Sequence, residues 1–398
     1  MEILCLTGWF PYPPDNGARI RLYHLLCSLG LRHRLDLISF LREDEQVKPE
    51  ALGPSCRLLG AVPFQITPRS AGSGLLSRYP RSLEEQYNPA MATLVRQAIA
   101  GRRYDLVLAC EIGPGVSTAP YLWEMDSLPR VIEDLEVSMI LAKAQAQRAA
   151  PARWRQRLTW WKQRRYTAEL LHRVNGCTVA SEAERRAVLD IVPGYRPLAV
   201  VPNGVDMERY RGDFGPVEPD TLVFPGALTY EANFEAMRFF LSEVLPLVRA
   251  TRPRVTLRIT GRSDGVPLDR LPLGENVVLT GYLADVRPAI ARSSVCVVPM
   301  TLGGGTRLKI LEAMALGTPV VATSKGAEGL EVTSGEDILI ADTPEEFAAQ
   351  TLRLLEDPEL RARLADNARR LVSLRYGWPA SAARLEALLQ EVVAEHGK

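Results

Sequence analysis

Short apolar runs alternate with amphipathic stretches along most of this chain, a rhythm that predicts parallel strands joined by helices. Residues 3–6, 34–40, 57–62 and 104–110 read as strands, 130–136 as a strand running into acids, and 175–180 as a further strand. Helices are predicted over 18–29 and 90–100, and Ser181, followed by Glu182 and Glu184, has the form of a helix cap. Residues 63–89, rich in Pro, Ser, Gly and Arg, read as irregular. Residues 200–206 close this half, and the charged run 209–220, with its glycines and prolines, fits a linker. A second series then follows: strands over 221–224, 255–259, 277–279, 295–298, 320–323 and 338–341, helices over 233–247 and 286–291, and a turn at Gly261. Two more helices follow, the last over 379–393. The expected class is α/β, with domains over 1–206 and 207–378.

The second series is organised around Gly303-Gly304-Gly305-Thr306-Arg307-Leu308-Lys309, which runs through Glu312, Ala313, Met314 and Ala315 to Gly317 and Pro319-Val320-Val321. Thr306 is placed to cap a helix and Gly317 to end it, so the unit is strand, glycine loop, helix, strand. Glycines let backbone N–H groups approach a ligand closely. Arg307 and Lys309 in a first helical turn oppose the helix dipole, and an anion shared with the helix end accounts for them. Glu312 lies roughly 8 Å further on at about 1.5 Å per residue, about the offset of a ribose from a diphosphate. Buried among apolar neighbours, its carboxylate needs donors, and a ribose diol offers two. The alternative is a salt bridge from Glu312 to Lys309 or Arg307 on an ordinary packed helix.

This stretch resembles the donor motif of nucleotide-sugar-dependent glycosyltransferases of the GT-B fold, in particular the retaining family four. That motif has two glutamates eight positions apart, then Ala-Met-Ala and Gly-x-Pro-Val-Val; Glu312 matches the second glutamate, which in the family holds the nucleotide ribose, while Gly304 stands at the first. Many members also grip the diphosphate with an Arg after a strand-end glycine and a Lys further on. This chain has Gly226-Ala227-Leu228 and then Asn233, and so looks like a branch with Gly-Thr-Arg-x-Lys before the Glu, in which Arg307 and Lys309 replace the missing pair. The resemblance implies two Rossmann-like parallel-sheet domains facing a central cleft, the last helix (379–398) completing the first. It implies donor contacts at Gly226, Gly303, Gly304, Gly305, Thr306, Leu308 and Glu312, with Gly17 approaching from the N-terminal glycine loop. By analogy, residues 63–89 belong to the acceptor side, and Asn203-Gly204-Val205-Asp206 resembles the interdomain boundary.

Composition narrows the partners. With 46% hydrophobic and 24% charged residues the chain is ordinary for a globular protein, and a net charge of +1 gives no global field for nucleic acid. The start lacks a cationic, long apolar leader and no stretch reaches the length of a spanning helix, so a cytoplasmic location is expected. The six cysteines have no paired spacing and read as reduced core residues. Residues 143–173 are strongly biased: nine Lys or Arg face the single acid Glu169, with Trp154, Trp160, Trp161 and Tyr166 interleaved. Such a helix suits an anionic membrane surface where lipid-linked acceptors reside, though a solvated helix with inward aromatics, or a diphosphate-acceptor groove, also fits.

On the first half, the loop 7–17 precedes a helix at the carboxyl edge of the expected sheet, where ligands bind. Arg19 and Arg21 follow Gly17; they either face the ligand or lie on a solvated helix face. Glu133, Asp134 and Glu136 stand at a strand end, placed either to bond or deprotonate an acceptor hydroxyl or to cap the next helix. The acceptor-side candidates are therefore Arg19, Glu133, Asp134 and Glu136. No Asp-x-Asp or other clustered metal ligands appear, nor a lysine-centred pyridoxal phosphate motif, so neither metal nor cofactor is expected. The expected activity is retaining transfer of a sugar from a nucleotide diphosphate to a hydroxyl of a saccharide, lipid-linked or small-molecule acceptor, with Arg307 and Lys309 stabilising the leaving group. A nucleotide-sugar epimerase or phosphorylase of the same fold, and a non-catalytic nucleotide- or sugar-binding protein, are the alternatives.

Overall fold

The structure, a computed structural model, describes residues 1–14, 16–42, 47–65, 77–78, 87–110, 117–125, 127–137, 150–302 and 307–396, with the side chains of 124 and 150–153 left aside. The chain divides into two compact units, Met1–Asn203 with Trp378–Lys398, and Gly204–Gly377.

In the first unit, seven strands are found among the described residues: β1 (Glu2–Thr7), β2 (Arg34–Leu41), β3 (Cys56–Pro63), β4 (Leu106–Cys110), β5 (Arg130–Glu133), β6 (Gly176–Val179) and β7 (Leu198–Val200). They form one sheet in the order β3-β2-β1-β4-β5-β6-β7, every pairing parallel. Ile3 to Leu6 and all of β4 are buried, as expected of strands covered by helices on both faces. The crossover helix Gly17–Gly30 starts at Asn16, whose side-chain oxygen accepts from the Arg19 amide at 3.1 Å. Ser181 caps the helix Glu182–Ile191 in the same way. The terminal helix Trp378–His396 belongs to this unit, where Leu385, Leu388 and Leu389 pack against the β1 and β4 side of the core and Ser381 donates to the Pro202 carbonyl at 2.8 Å.

The second unit repeats the plan with β8 (Glu218–Pro225), β9 (Thr256–Thr260), β10 (Val277–Gly281), β11 (Ser293–Val298), β12 (Val320–Ala322) and β13 (Leu339–Ile340). Their order is β10-β9-β8-β11-β12-β13, again parallel throughout. The helix expected over 233–247 is broken into Glu231–Phe239, a π turn Phe240–Val244 and Leu245–Thr251, because Pro246 lacks the N–H needed for a continuous ladder. Gly317, at φ 76°, ends the helix Leu308–Leu316 in the left-handed region that glycine adopts without strain. The run 209–220 is not a linker: it lies in the second unit, and its last three residues already belong to β8. Both sheets reverse their winding once, between β1 and β4 and between β8 and β11. In open parallel sheets ligands bind beyond the strand carboxyl ends at that reversal. All six cysteines are free. No helix among the described residues is long and apolar enough to cross a membrane.

Candidate functional site

The second unit's reversal brings together residues distant in sequence. The chain leaves β8 at Pro225 and turns through Gly226, Ala227 and Leu228, with the Leu228 amide bonded to the Arg262 carbonyl at 2.9 Å. A side chain at position 226 would displace its neighbours: a Cβ there would stand 2.7 Å from Asn233 Nδ2 and 2.9 Å from Lys309 Nζ. The glycine therefore admits the lysine. Lys309 Nζ donates to Asn233 Oδ1 at 2.7 Å and lies 4.1 Å from the centroid of the Phe224 ring, while Asn233 donates in turn to the Ala227 carbonyl at 2.8 Å. Lys309 has no ion-pair partner among the described residues. Burial, and then the positive charge of Arg307, lower its pKa to about 7.

Arg307, rather than Thr306, holds the cap position of the helix Leu308–Leu316, and its side chain makes no cap hydrogen bond. It is 6% exposed, and Nη2 donates to the Leu302 carbonyl at 3.4 Å. Leu308 opens the helix, partly buried. Gly303, Gly304, Gly305 and Thr306 lie outside the described residues. One turn into the helix, Glu312 is partly buried, and Oε1 accepts from the Tyr210 hydroxyl at 2.7 Å. The salt bridge to Lys309 or Arg307, the alternative reading of this helix, does not form among the described residues. Burial raises the Glu312 pKa, with Tyr210, Arg209 and Lys309 acting the other way.

At the first unit's reversal, helix Gly17–Gly30 lays Arg21 across the end of β5. Arg21 is 1% exposed, which overturns its placement on a solvated helix face. Its guanidinium donates from Nε to Glu133 Oε1 at 3.0 Å, also bonds that oxygen through Nη2, stands 3.3 Å from Asp134 Oδ2, and donates from Nη1 to Asn203 Oδ1 at 3.0 Å. Burial raises the pKa of both carboxyl groups, and the Arg21 charge offsets part of it. Glu133 and Asp134 are thus held by a cation, and the segment they were expected to cap, 138–149, lies outside the described residues. Asp134 has φ 62°, in the region that favours glycine, and its amide donates to Thr178 Oγ1 at 3.0 Å. Glu136 follows, partly buried. Gly17 opens the helix, and Arg19 is buried with its guanidinium 5.5 Å from the Trp9 ring centroid, so it too leaves solvent.

Sequence reasoning missed Tyr210, Asn203 and the Arg21 ion pair. None carries a local signal, because each acts on a partner more than a hundred positions away. The helix Ala150–Leu171 divides its aromatics: Trp160 packs on the core and Tyr166 is buried, whereas Trp154 and Trp161 are 63% and 55% exposed. Those two are seven positions apart and share one helix face. Lys143 and Arg148 lie outside the described residues.

Residues 219–357, all within the second unit, match the family described as glycosyl transferases group 1. An MMP alpha-(1->4)-mannosyltransferase of Mycolicibacterium hassiacum is 28% identical over 226 residues, 54% of this chain and 54% of that protein. The chain thus spans about half the length of that curated relative. Over the full fold, a sucrose-phosphate synthase from Thermosynechococcus elongatus superposes with TM-score 0.74 at 19% identity, covering 99% of this chain and 100% of that one. Anabaena Alr3699/HepE, crystallised with UDP and glucose, gives TM-score 0.66 at 18% identity over 98% and 100% of the two chains. The fold is that of the GT-B glycosyltransferases, with two parallel-sheet α/β units.

Proposed function

We propose that this protein is a retaining glycosyltransferase that takes a sugar from a nucleotide diphosphate to a hydroxyl acceptor in polysaccharide or glycolipid assembly. The observation that carries the reading is the Lys309 ammonium, seated against Gly226 and Asn233 at the reversal of a group 1 glycosyltransferase domain. In this reading the Gly-Thr-Arg-x-Lys segment supplies both cations that position 227, now Ala, and position 233, now Asn, do not. Arg307 and Lys309 hold the diphosphate and stabilise the charge it gains as the anomeric C–O bond breaks. The acceptor oxygen bonds to the anomeric carbon on the same face, and the acceptor proton passes to a leaving phosphate oxygen. No metal is needed for charge already met by two side chains. Glu312 receives the ribose hydroxyls, and Glu133, Asp134 and Glu136, with Arg19, stand on the acceptor side.

The acceptor is proposed to be met at the cytoplasmic face of an anionic membrane. Trp154 and Trp161 would insert at the interface, with Arg157 and Arg165 near the same face drawn to lipid phosphates. Thermal-shift screening of UDP, GDP and ADP, followed by mass-detected transfer from the corresponding sugars in the presence of EDTA, tests the reaction. Binding to anionic vesicles that fades as salt rises tests the surface. Absence of nucleotide binding, or turnover that needs magnesium or manganese, refutes the reading of the site; equal binding to neutral vesicles refutes the docking face.

A further inference from the structure

Tyr210 lies in the arm that leads from the unit boundary into β8, a stretch whose composition alone suggests only a tether. The arm is instead fastened. Asp206 Oδ1 accepts from the Glu208 amide at 3.1 Å, and the Arg209 carbonyl accepts from Arg287 Nη1. Arg287 is itself fixed by Asp285, whose two oxygens accept from Nε and Nη2 at 2.8 Å each, and its guanidinium lies 5.4 Å from the Phe214 ring centroid. This chain of contacts sets the backbone beside Tyr210, and the Tyr210 ring packs on the apolar core of the second unit. Its hydroxyl has one described partner, Glu312 Oε1 at 2.7 Å.

We propose that Tyr210 is a positioning residue for the nucleotide: its hydroxyl pins one oxygen of Glu312 so that the carboxylate faces the ribose as a fixed, ionised double acceptor. The inference rests on the ribose role of Glu312. A carboxylate has about four acceptor sites, so one bond from a phenol leaves room for both hydroxyls of a ribose. Unpinned, the side chain would sample several rotamers, and ordering it on binding costs affinity. The phenol remains a donor throughout the neutral range, because burial and the neighbouring carboxylate both raise its pKa. The charged groups around the pair are Arg209 on the arm, Asp285 and Arg287 ahead of β11, and Lys309 on the helix of Glu312 itself; the Cys296 thiol lies on β11.

The test is a cycle of Tyr210→Phe, Glu312→Gln and the double variant, with the dissociation constants of UDP and GDP measured calorimetrically between pH 5 and 8. Phenylalanine keeps the ring packing and removes only the hydroxyl. For whichever nucleotide binds, Tyr210→Phe should weaken affinity about five- to tenfold at pH 7, the scale of one net hydrogen bond. Because the Tyr210 bond lowers the Glu312 pKa, its loss should also move the acid limb of the affinity profile to higher pH. In the Glu312→Gln background the tyrosine change should have no further effect, and only the part of the acid limb that belongs to the terminal phosphate of the nucleotide should remain. If Glu312→Gln weakens binding while Tyr210→Phe leaves both affinity and acid limb as in the wild type, the positioning role is refuted and the ribose reading stands. If Glu312→Gln itself leaves affinity unchanged, the ribose reading falls and takes this inference with it.

Discussion

The two units place charged groups beyond the strand carboxyl ends of similarly wound sheets and treat them in opposite ways. At the reversal between β1 and β4 the cation Arg21 is surrounded by Glu133 and Asp134, with Asn203 completing its bonds. At the reversal between β8 and β11 the cation Lys309 has another cation, Arg307, as its strongest charged influence, and its polar contact is the neutral Asn233. The first cation is paired without a ligand, although Glu133 Oε2 stays buried with no hydrogen-bond partner among the described residues. The second has no ion-pair partner among the described residues: its lysine is held near its neutral form, a state an arriving anion would reverse. A buried cation already paired serves to shape the site, whereas an unneutralised cation is suited to bind charge.

The largest expected effect comes from breaking the paired side. Arg21→Met leaves two buried carboxyl groups without their cation, and removing one partner from a buried pair costs about 3 to 5 kcal/mol. The sign with pH is fixed. Both carboxyl groups already have pKa values raised above their unfolded values, and without Arg21 they rise further. Their contribution is therefore complete at acid pH and lost as pH climbs through the folded-state values, so the variant should lose most stability relative to wild type at neutral pH and least near pH 4. Denaturant unfolding at several pH values measures this. A uniform loss across pH would mean that the guanidinium acts by packing alone.

The second side should respond in rate more than in stability. Arg307→Ala and Lys309→Ala should each lower turnover about a hundredfold or more, while donor affinity changes less, because the leaving group gains charge in the transition state. If both variants keep near-full turnover, the cations are incidental to a helix start and the leaving-group mechanism must be given up.

The contrast also shows what a sequence can display. Alternation of apolar runs predicts every described strand except β7, a three-residue edge strand, since strands such as Leu106–Cys110 and Ser293–Val298 are buried along their whole length. The helix Leu308–Leu316 and its stop at Gly317 were legible because backbone chemistry is local. The π turn at Phe240–Val244 was not, as it needs the position of Pro246 to be weighed against an otherwise continuous helical pattern. Among site residues, Glu312, Lys309 and Gly226 stand in recognisable surroundings, but their partners do not. Arg21 was equally compatible with solvent, and only the crossover topology brings it to Glu133. Tyr210 sits in a charged run that looks like a tether until Arg287 fastens it. Pairings made across a fold leave no periodicity in either partner.

The smallest effect is the most direct probe of the unneutralised side. Lys309 titrates at about 7, lowered first by burial and then by Arg307. In the ligand-free protein this makes folding more favourable as pH rises from 7 towards the ordinary lysine value of 10.5, because over that span the unfolded chain binds more protons than the folded one. A nucleoside diphosphate puts negative charge beside the amine and raises its pKa, so above pH 7 binding must draw a proton from solvent. Affinity for UDP or GDP, whichever binds, should therefore fall as pH rises from 7 to 9, by at most about tenfold per unit, which corresponds to one proton. Calorimetry at pH 8 in two buffers of different ionisation enthalpy should register an uptake approaching one proton, and Lys309→Met should abolish it. The Arg21 cluster offers the control, since its guanidinium stays charged and should add nothing to the exchange. Buffer-independent heats with a flat affinity between pH 7 and 9 would show that the amine is already charged before the anion arrives, and the distinction between a paired and an unpaired reversal would lose its physical basis.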